Sequence, residues 1–337
     1  MREIPDAIQW GVALLFETNQ GASHMDNWVV GIDLGATKIA LGLIGPEDRI
    51  VASGRIPTNA PDGPGSAVER IAQSITQLEG ELPAGEGLAA VGICSPGPLD
   101  HQTGVILDPP NLTGWRDVPF RQMLADRLEL PVSLEHDAKA AALGEFHYGA
   151  GHGEDSMVYI VVGTGVGAAF IVDGQLYRGM HNLAGEIGGV TIDRDGEAYR
   201  SGVRGCVQSY MSGPDLARHY LRLQEQAGQG PPPAPDAATG ERVARLAGEG
   251  DELAEQVMTQ AGEALGIAVA SLAMTLDIEL YVIGGSVAKA GDLLLGPARG
   301  IVPDYAFQSI ASQVRIVAAE LGDDGPILGC GWLARQS

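Results

Sequence analysis

An α/β protein built from two similar lobes is what this sequence predicts, and three features carry the prediction. A strand, a glycine-containing turn and a second strand occupy Trp28–Ile44, and the same unit returns over Met157–Val172. The recurrence implies a duplicated fold whose two turns face each other. Between the copies, Leu130–Leu134 reads as a short strand running directly into an alanine-rich helix from Ala138. Near the end, the apolar strand Leu280–Ile283 stops at the bare backbone of Gly284-Gly285.

Taken in order, residues 1–27 do not share the pattern of the rest. Gly21-Ala22-Ser23-His24-Met25 resembles a cloning junction before a start at Met25, so the segment reads as a tag or leader; a short helix over Ile8–Phe16 is the other reading. Trp28–Ile32 is a strand, Asp33–Lys38 a tight turn and Ile39–Ile44 a strand. The turn Gly45–Asp48 leads to a third strand, Arg49–Ile56. A helix over Ala67–Leu78 precedes the buried strand Leu88–Cys94 and the rigid Ser95–Asp100 loop, in which Gly97 lies between two prolines. Asn111 sits in a further loop, suited either to binding hydroxyls or to satisfying its own backbone.

In the second copy, Gly163-Thr164-Gly165-Val166-Gly167 is the turn, Asp173-Gly174 a hairpin and Gln175–Tyr177 the start of the return. Glu186 lies farther on, between glycines. Gly228–Pro235 is a proline-rich linker, Glu252–Leu276 a long amphipathic helix, and Pro326–Ala334 a closing helix. The division expected is a smaller lobe over 28–134, completed by a C-terminal helix within 322–337, and a larger lobe over 135–321.

The 337 residues are 45% hydrophobic and 19% charged, which indicates a soluble globular protein. A net charge of −22 argues against nucleic-acid partners, whose phosphates it repels, and no basic track for a polyanion is evident. Small molecules are the expected partners. Three scattered cysteines form no disulfide framework and suit a reducing cytoplasm. No apolar run reads as a membrane span.

The chemistry-bearing residues are few. Amide groups of the first turn, with Thr37, can line a phosphate, and Asp33 can reach a phosphate-bound magnesium ion. Asp137, at the strand-to-helix junction, is fixed by backbone on both sides. By itself the stretch favours a helix N-cap; the flanking phosphate turns favour a general base.

In order and approximate spacing, Asp33–Lys38, Ser95–Asp100, Glu135–Glu145, Gly163–Gly167, Ala184–Gly188, Gly205–Cys206 and Ile283–Gly285 resemble the ROK family of bacterial sugar kinases and sugar-responsive repressors. The resemblance runs from about Trp28 to the C-terminus and implies the actin-like, ribonuclease-H-like two-lobe ATPase fold. Carried over position by position, it makes Asp33, Gly35, Ala36, Thr37 and Lys38 the first phosphate turn and Gly163, Thr164 and Gly165 the second. Gly284 and Gly285 adjoin the adenosine, Asp137 is the catalytic base, and Asn111, His136, Glu186 and Gly97 border the sugar. Implied are a cytoplasmic homodimer and ATP- and Mg2+-dependent phosphorylation of a hexose, at the 6-hydroxyl as in a glucokinase. A non-catalytic sugar sensor and a polyphosphate-dependent hexose kinase are the alternatives.

Two departures bear on the pocket. The family's asparagine before the base is His136, and its histidine after the Glu-x-Gly segment is Gly189. Where relatives carry a Cys-x-Cys-Gly-x-x-Gly-Cys zinc run, this chain has Tyr199, Ser201 and Cys206, keeping Gly202 and Gly205. A structural zinc needs about four N or S ligands, so no zinc is expected here.

Overall fold

The computed structural model describes residues 27–228 and 239–337; all but the last residue of the expected leader and nearly all of the proline-rich linker lie outside them. In the first lobe, β1 (Trp28–Leu34), β2 (Lys38–Ile44) and β3 (Ile50–Pro57) form a meander, followed by α1 (Pro64–Glu79) and β4 (Leu88–Ser95). A small ribbon, β5 (Leu99–Asp100) and β6 (Val105–Ile106), precedes α2 (Phe120–Leu128), β7 (Val132–His136) and α3 (Asp137–Tyr148). The second lobe repeats the plan with β8 (Met157–Val162), β9 (Val166–Val172) and β10 (Gln175–Tyr177). Its helices are α4 (Gln208–Met211), α5 (Gly213–Gln226), α6 (Gly240–Gly248) and α7 (Glu252–Leu276). The chain closes with β11 (Leu280–Gly284), α8 (Asp292–Tyr305), α9 (Gln308–Ala311), β12 (Arg315–Ala318) and α10 (Gly325–Ala334).

Both sheets have the same topology, β3-β2-β1-β4-β7 and β10-β9-β8-β11-β12. In each, the first three strands are antiparallel and the last two join in parallel. The duplication expected from the two glycine turns is therefore a duplication of whole sheets. The first sheet continues to His136, two residues past the expected lobe division.

The layers arise from which strand faces are apolar. Ile32, Leu41, Ile71, Ile75, Ile93 and Leu124 form one core between the first sheet and α1–α2. Its other face is covered by α10 through Val29, Ile44, Ala90, Ile327 and Leu328. In the second lobe α3 lies on one face, with Ala142, Leu143, Tyr159, Ala169 and Val282, while α5–α8 pack on the other. Helices α3 and α10 thus form the middle layer, and they meet backbone to backbone. A Cβ on Gly144 would strike the Gly325 carbonyl, and one on Gly329 would strike the Ala140 carbonyl. Small residues here are a packing requirement.

Helix α7 corrects one expectation: its 25 residues are long and apolar enough, by length and composition, to cross a membrane. It is mostly buried, and Gly262 and Gly266 seat it on the α8 backbone. The length serves the core of the second lobe.

Candidate active site

Parallel strands end together, so the residues at their carboxyl ends are gathered along one edge of the sheet. Asp33 pairs in register with Cys94, and Cys94 with Glu135. The edge therefore presents Asp33 near the end of β1, the Ser95–Gly97 turn after β4, and His136–Asp137 where β7 gives way to α3. Opposite stands the matching edge of the second sheet, where Val161 is in register with Gly284. Between them is a cleft of about 490 Å³ lined by Asp33, Lys38, Asp137, Tyr159, Gly284 and Gly285, among others.

The helix-cap question has a definite answer. His136 occupies the N-cap of α3 with extended backbone, and Asp137 is the first helical residue. Asp137 Oδ1 accepts the Ala138 amide at 2.6 Å and lies 3.0 Å from His136 Nδ1. In the neutral ring His136 Nδ1 accepts the Ala138 amide at 3.3 Å, and once protonated it faces Oδ1 as a donor; one carboxylate oxygen of Asp137 is committed here and the other is left for a ligand. Burial opposes a charge on His136, but the bond to Asp137 and its negative charge outweigh that and raise the imidazole above its ordinary pKa.

Asp33 is largely enclosed. Burial first, then the charge of Asp137, pushes its carboxyl up to about 6, although the Cys94 thiol donates to Oδ1 at 3.6 Å. A carboxylate held under such strain beside a second one suits a divalent cation, so Asp33 fits the expected magnesium role.

The remaining expected residues fall into four places. The first turn is closed by Gly35 N–H donating to Lys38 O at 3.0 Å and by Thr58 Oγ1 donating to Gly35 O at 2.7 Å, leaving Ala36 and Thr37 exposed. In the second, Gly163 N–H donates to Gly165 O at 2.9 Å, Thr164 lies between them, and Gly163 faces Ser286. His136 packs on Gly97, whose added Cβ would come within 2.8 Å of the ring. Glu186 is exposed nearby, close enough to influence His136 and Lys139 electrostatically. Asn111 is exposed in its loop; it, Gly97, His136, Glu186 and both turns apart from Asp33 and Lys38 are not among the residues that line the cleft.

Gly284 and Gly285 are bare for an internal reason as well as for any approach by a ligand. A Cβ on Gly284 would strike the Tyr159 hydroxyl. Gly285, at φ +93°, would drive one into the Val162 carbonyl.

A sequence profile of the ROK family matches residues 29–337. The chain belongs to the ROK family. It is 35% identical over 317 residues to the glucokinase of Halalkalibacterium halodurans, covering 92% of this chain and 96% of that one. Among solved structures, it resembles a ROK family glucokinase from Streptomyces griseus in complex with glucose and AMPPNP. There the TM-score is 0.76 at 30% identity, with 92% of this chain and 100% of that chain covered. A ROK hexokinase from Thermus thermophilus matches with TM-score 0.76 at 33% identity, over 92% and 98% of the two chains. The actin-like two-lobe architecture is the family's.

Two parts of this ROK protein escaped the sequence reading. Glu135, 1% exposed, accepts the His136 amide at 2.8 Å on one oxygen and Arg178 Nε at 2.8 Å on the other. Lys139, 3% exposed, donates from Nζ to the Asn182 carbonyl at 2.6 Å. These two buried ties bind the 178–186 segment, which ends in Glu186, to the junction that bears Asp137. A helix-face lysine and a post-strand arginine look solvated in sequence.

The segment in place of the zinc run is laced by hydrogen bonds. Gln208 Nε2 donates to Tyr199 Oη at 2.9 Å, Tyr210 donates to Asp193 at 2.7 Å, and Gly205 N–H donates to Glu197 O at 3.0 Å. Cys206 is buried, and Tyr199 is half-buried.

Proposed function

We propose that this ROK protein is an ATP-dependent sugar kinase that transfers the γ-phosphoryl group to a hexose hydroxyl, the primary one at carbon 6, with Asp137 as general base. One observation carries the reading. Asp137 opens α3 at the carboxyl edge of the first sheet, inside a cleft whose other wall includes the bare Gly284–Gly285 backbone. Kinship with glucokinases, and with a structure bound to glucose and AMPPNP, supports the same pair of substrates.

In this reading the sugar lies against His136, Gly97, Glu186 and Asn111. Asp137 accepts the hydroxyl proton as the oxygen attacks phosphorus, a contribution of about 10²–10⁴-fold. The amides of Gly35–Lys38 and Gly163–Gly165 hold phosphate oxygens as charge develops. Asp33 would hold magnesium, which when bound neutralises charge on the phosphates. Approach of the lobes excludes water as a competing acceptor.

The test is ADP release across glucose, mannose, fructose, N-acetylated hexosamines and a cyclitol, with ATP and with polyphosphate as donor. Turnover of a hexose with ATP is expected, and Asp137→Asn should lower kcat by about 10²-fold or more with unfolding temperature retained. Full activity in a folded Asp137→Asn protein would exclude the base assignment. Sugar binding without ADP release would make the chain a sensor.

A further inference from the structure

At the mouth of the cleft three cations converge on one carboxylate. Lys38 Nζ lies 3.6 Å from Asp323 Oδ2, Arg55 Nη2 lies 3.3 Å from the same oxygen, and Lys289 Nζ lies 3.5 Å from Oδ1. All four residues line the cleft. Lys38 and Arg55 stand on β2 and β3 of the first lobe; Lys289 belongs to the Val287–Ala290 turn of the second, and Asp323 to the Gly322–Asp324 turn before α10.

Stability does not account for this gathering. The side chains are between 49% and 69% exposed, and ion pairs so exposed contribute little. Asp323 alone faces three positive charges, which repel one another; the cleft's other two acids, Asp33 and Asp137, stand at the expected magnesium and base positions. The chain has 21 basic against 43 acidic residues, so the cluster runs against its own composition. Three cations gathered around one carboxylate at the entrance of a cleft, drawn from both walls, present the donors that grip a polyanion.

We infer that Lys38, Arg55 and Lys289 form a cross-cleft clamp for the phosphate chain of the phosphoryl donor, with Asp323 as the counter-ion that the donor displaces. The inference rests on the kinase reading for the identity of the donor, and it adds Arg55, Lys289 and Asp323 to the phosphate-handling residues. Because the clamp draws on both lobes, donor binding also ties them together. Its contacts are to charge alone, so a nucleoside triphosphate and a linear inorganic phosphate chain share the chemistry it recognises.

The experiment is calorimetry of the full chain without sugar, titrating Mg-ATP and, separately, magnesium tripolyphosphate. The proteins are wild type, the double variant Arg55→Gln/Lys289→Gln, Asp323→Asn, and a control, Arg245→Gln, whose partner is Glu249 just beyond α6. Each protein's unfolding temperature is measured, and the single variants substitute for the double if it fails to fold. The double variant should bind Mg-ATP about tenfold or more weakly, with sugar KM within about twofold of wild type. Tripolyphosphate weakened in parallel marks a clamp serving both donors; failure of wild type to bind it assigns the clamp to the nucleoside triphosphate. Asp323→Asn should bind the anion more tightly, and weaker binding would overturn its counter-ion role. Mg-ATP affinity unchanged in the double variant, or lowered equally by Arg245→Gln, would overturn the clamp. If wild type phosphorylates no sugar while Mg-ATP binding still depends on Arg55 and Lys289, the kinase reading fails and the clamp stands.

Discussion

With its carboxyl pushed up to about 6 by burial and by Asp137, Asp33 titrates within the range where enzymes are ordinarily assayed. An acid with that pKa is roughly one-quarter ionised at pH 5.5 and almost wholly ionised at pH 7.5, so the Mg2+ concentration for half-maximal rate should rise roughly fourfold on acidification. Magnesium titrations of the rate at the two pH values measure this, and superimposable curves would remove Asp33 from the metal. His136 works in the other direction. Its raised pKa means that the imidazolium–Asp137 bond stabilises the fold below the unfolded value of about 6.5 and is lost as pH rises through the folded one. The gap in unfolding temperature between wild type and His136→Gln should therefore be widest near pH 6 and narrow toward pH 8. The groups sharing that environment are Asp137, Lys139 and Glu186, so scans in which each is neutralised separate the His136 contribution.

The junction of β7 and α3 is more than the site of the base, because Glu135–Arg178 and Lys139–Asn182 fasten it to the segment ending in Glu186. Lys139→Met keeps the length of the side chain and removes the tie. Sugar KM should rise roughly tenfold while Mg-ATP KM stays within about twofold, and Lys139→Arg should restore part of the loss. Equal changes in both KM values would reduce Lys139 to a packing residue. The α3–α10 seam makes a different demand. Gly329→Val would press a branched side chain into the Ala140 carbonyl, and overpacking of this kind costs about 1–3 kcal/mol. A thermal melt should show a drop of at least a few degrees, which an equivalent change at the open Gly54 would not produce. Element limits were legible because alternation and glycine turns mark them: Met157–Val162, Gln175–Tyr177 and Glu252–Leu276 fall where the pattern puts them. The ties were not legible. Nothing local distinguishes a lysine buried across an interface from one on a wet helix face.

At the scale of the whole chain, the repeated strand–turn–strand unit was enough to expose the duplication, since turn chemistry is local and survives when long-range contacts are unknown. Net charge misled for the opposite reason. Lys38 and Arg55 stand on neighbouring strands of the first sheet, and Lys289 joins them only when the second lobe faces the first, so an acidic composition concealed a cluster of cations at the cleft mouth. Asp137 was placed correctly at its junction, but the cap beside it belongs to His136, a residue whose imidazole rarely signals a helix start. The closing helix has a consequence during synthesis. Strands β1, β2 and β4 emerge early from the ribosome, yet the layer over Val29, Ile44 and Ala90 is supplied by α10. Roughly 190 residues separate the end of β7 from α10, about 10–40 s of translation at ordinary rates. For that interval the nascent first lobe holds a wet, apolar sheet face, a natural target for chaperones and a hazard on crowded polysomes.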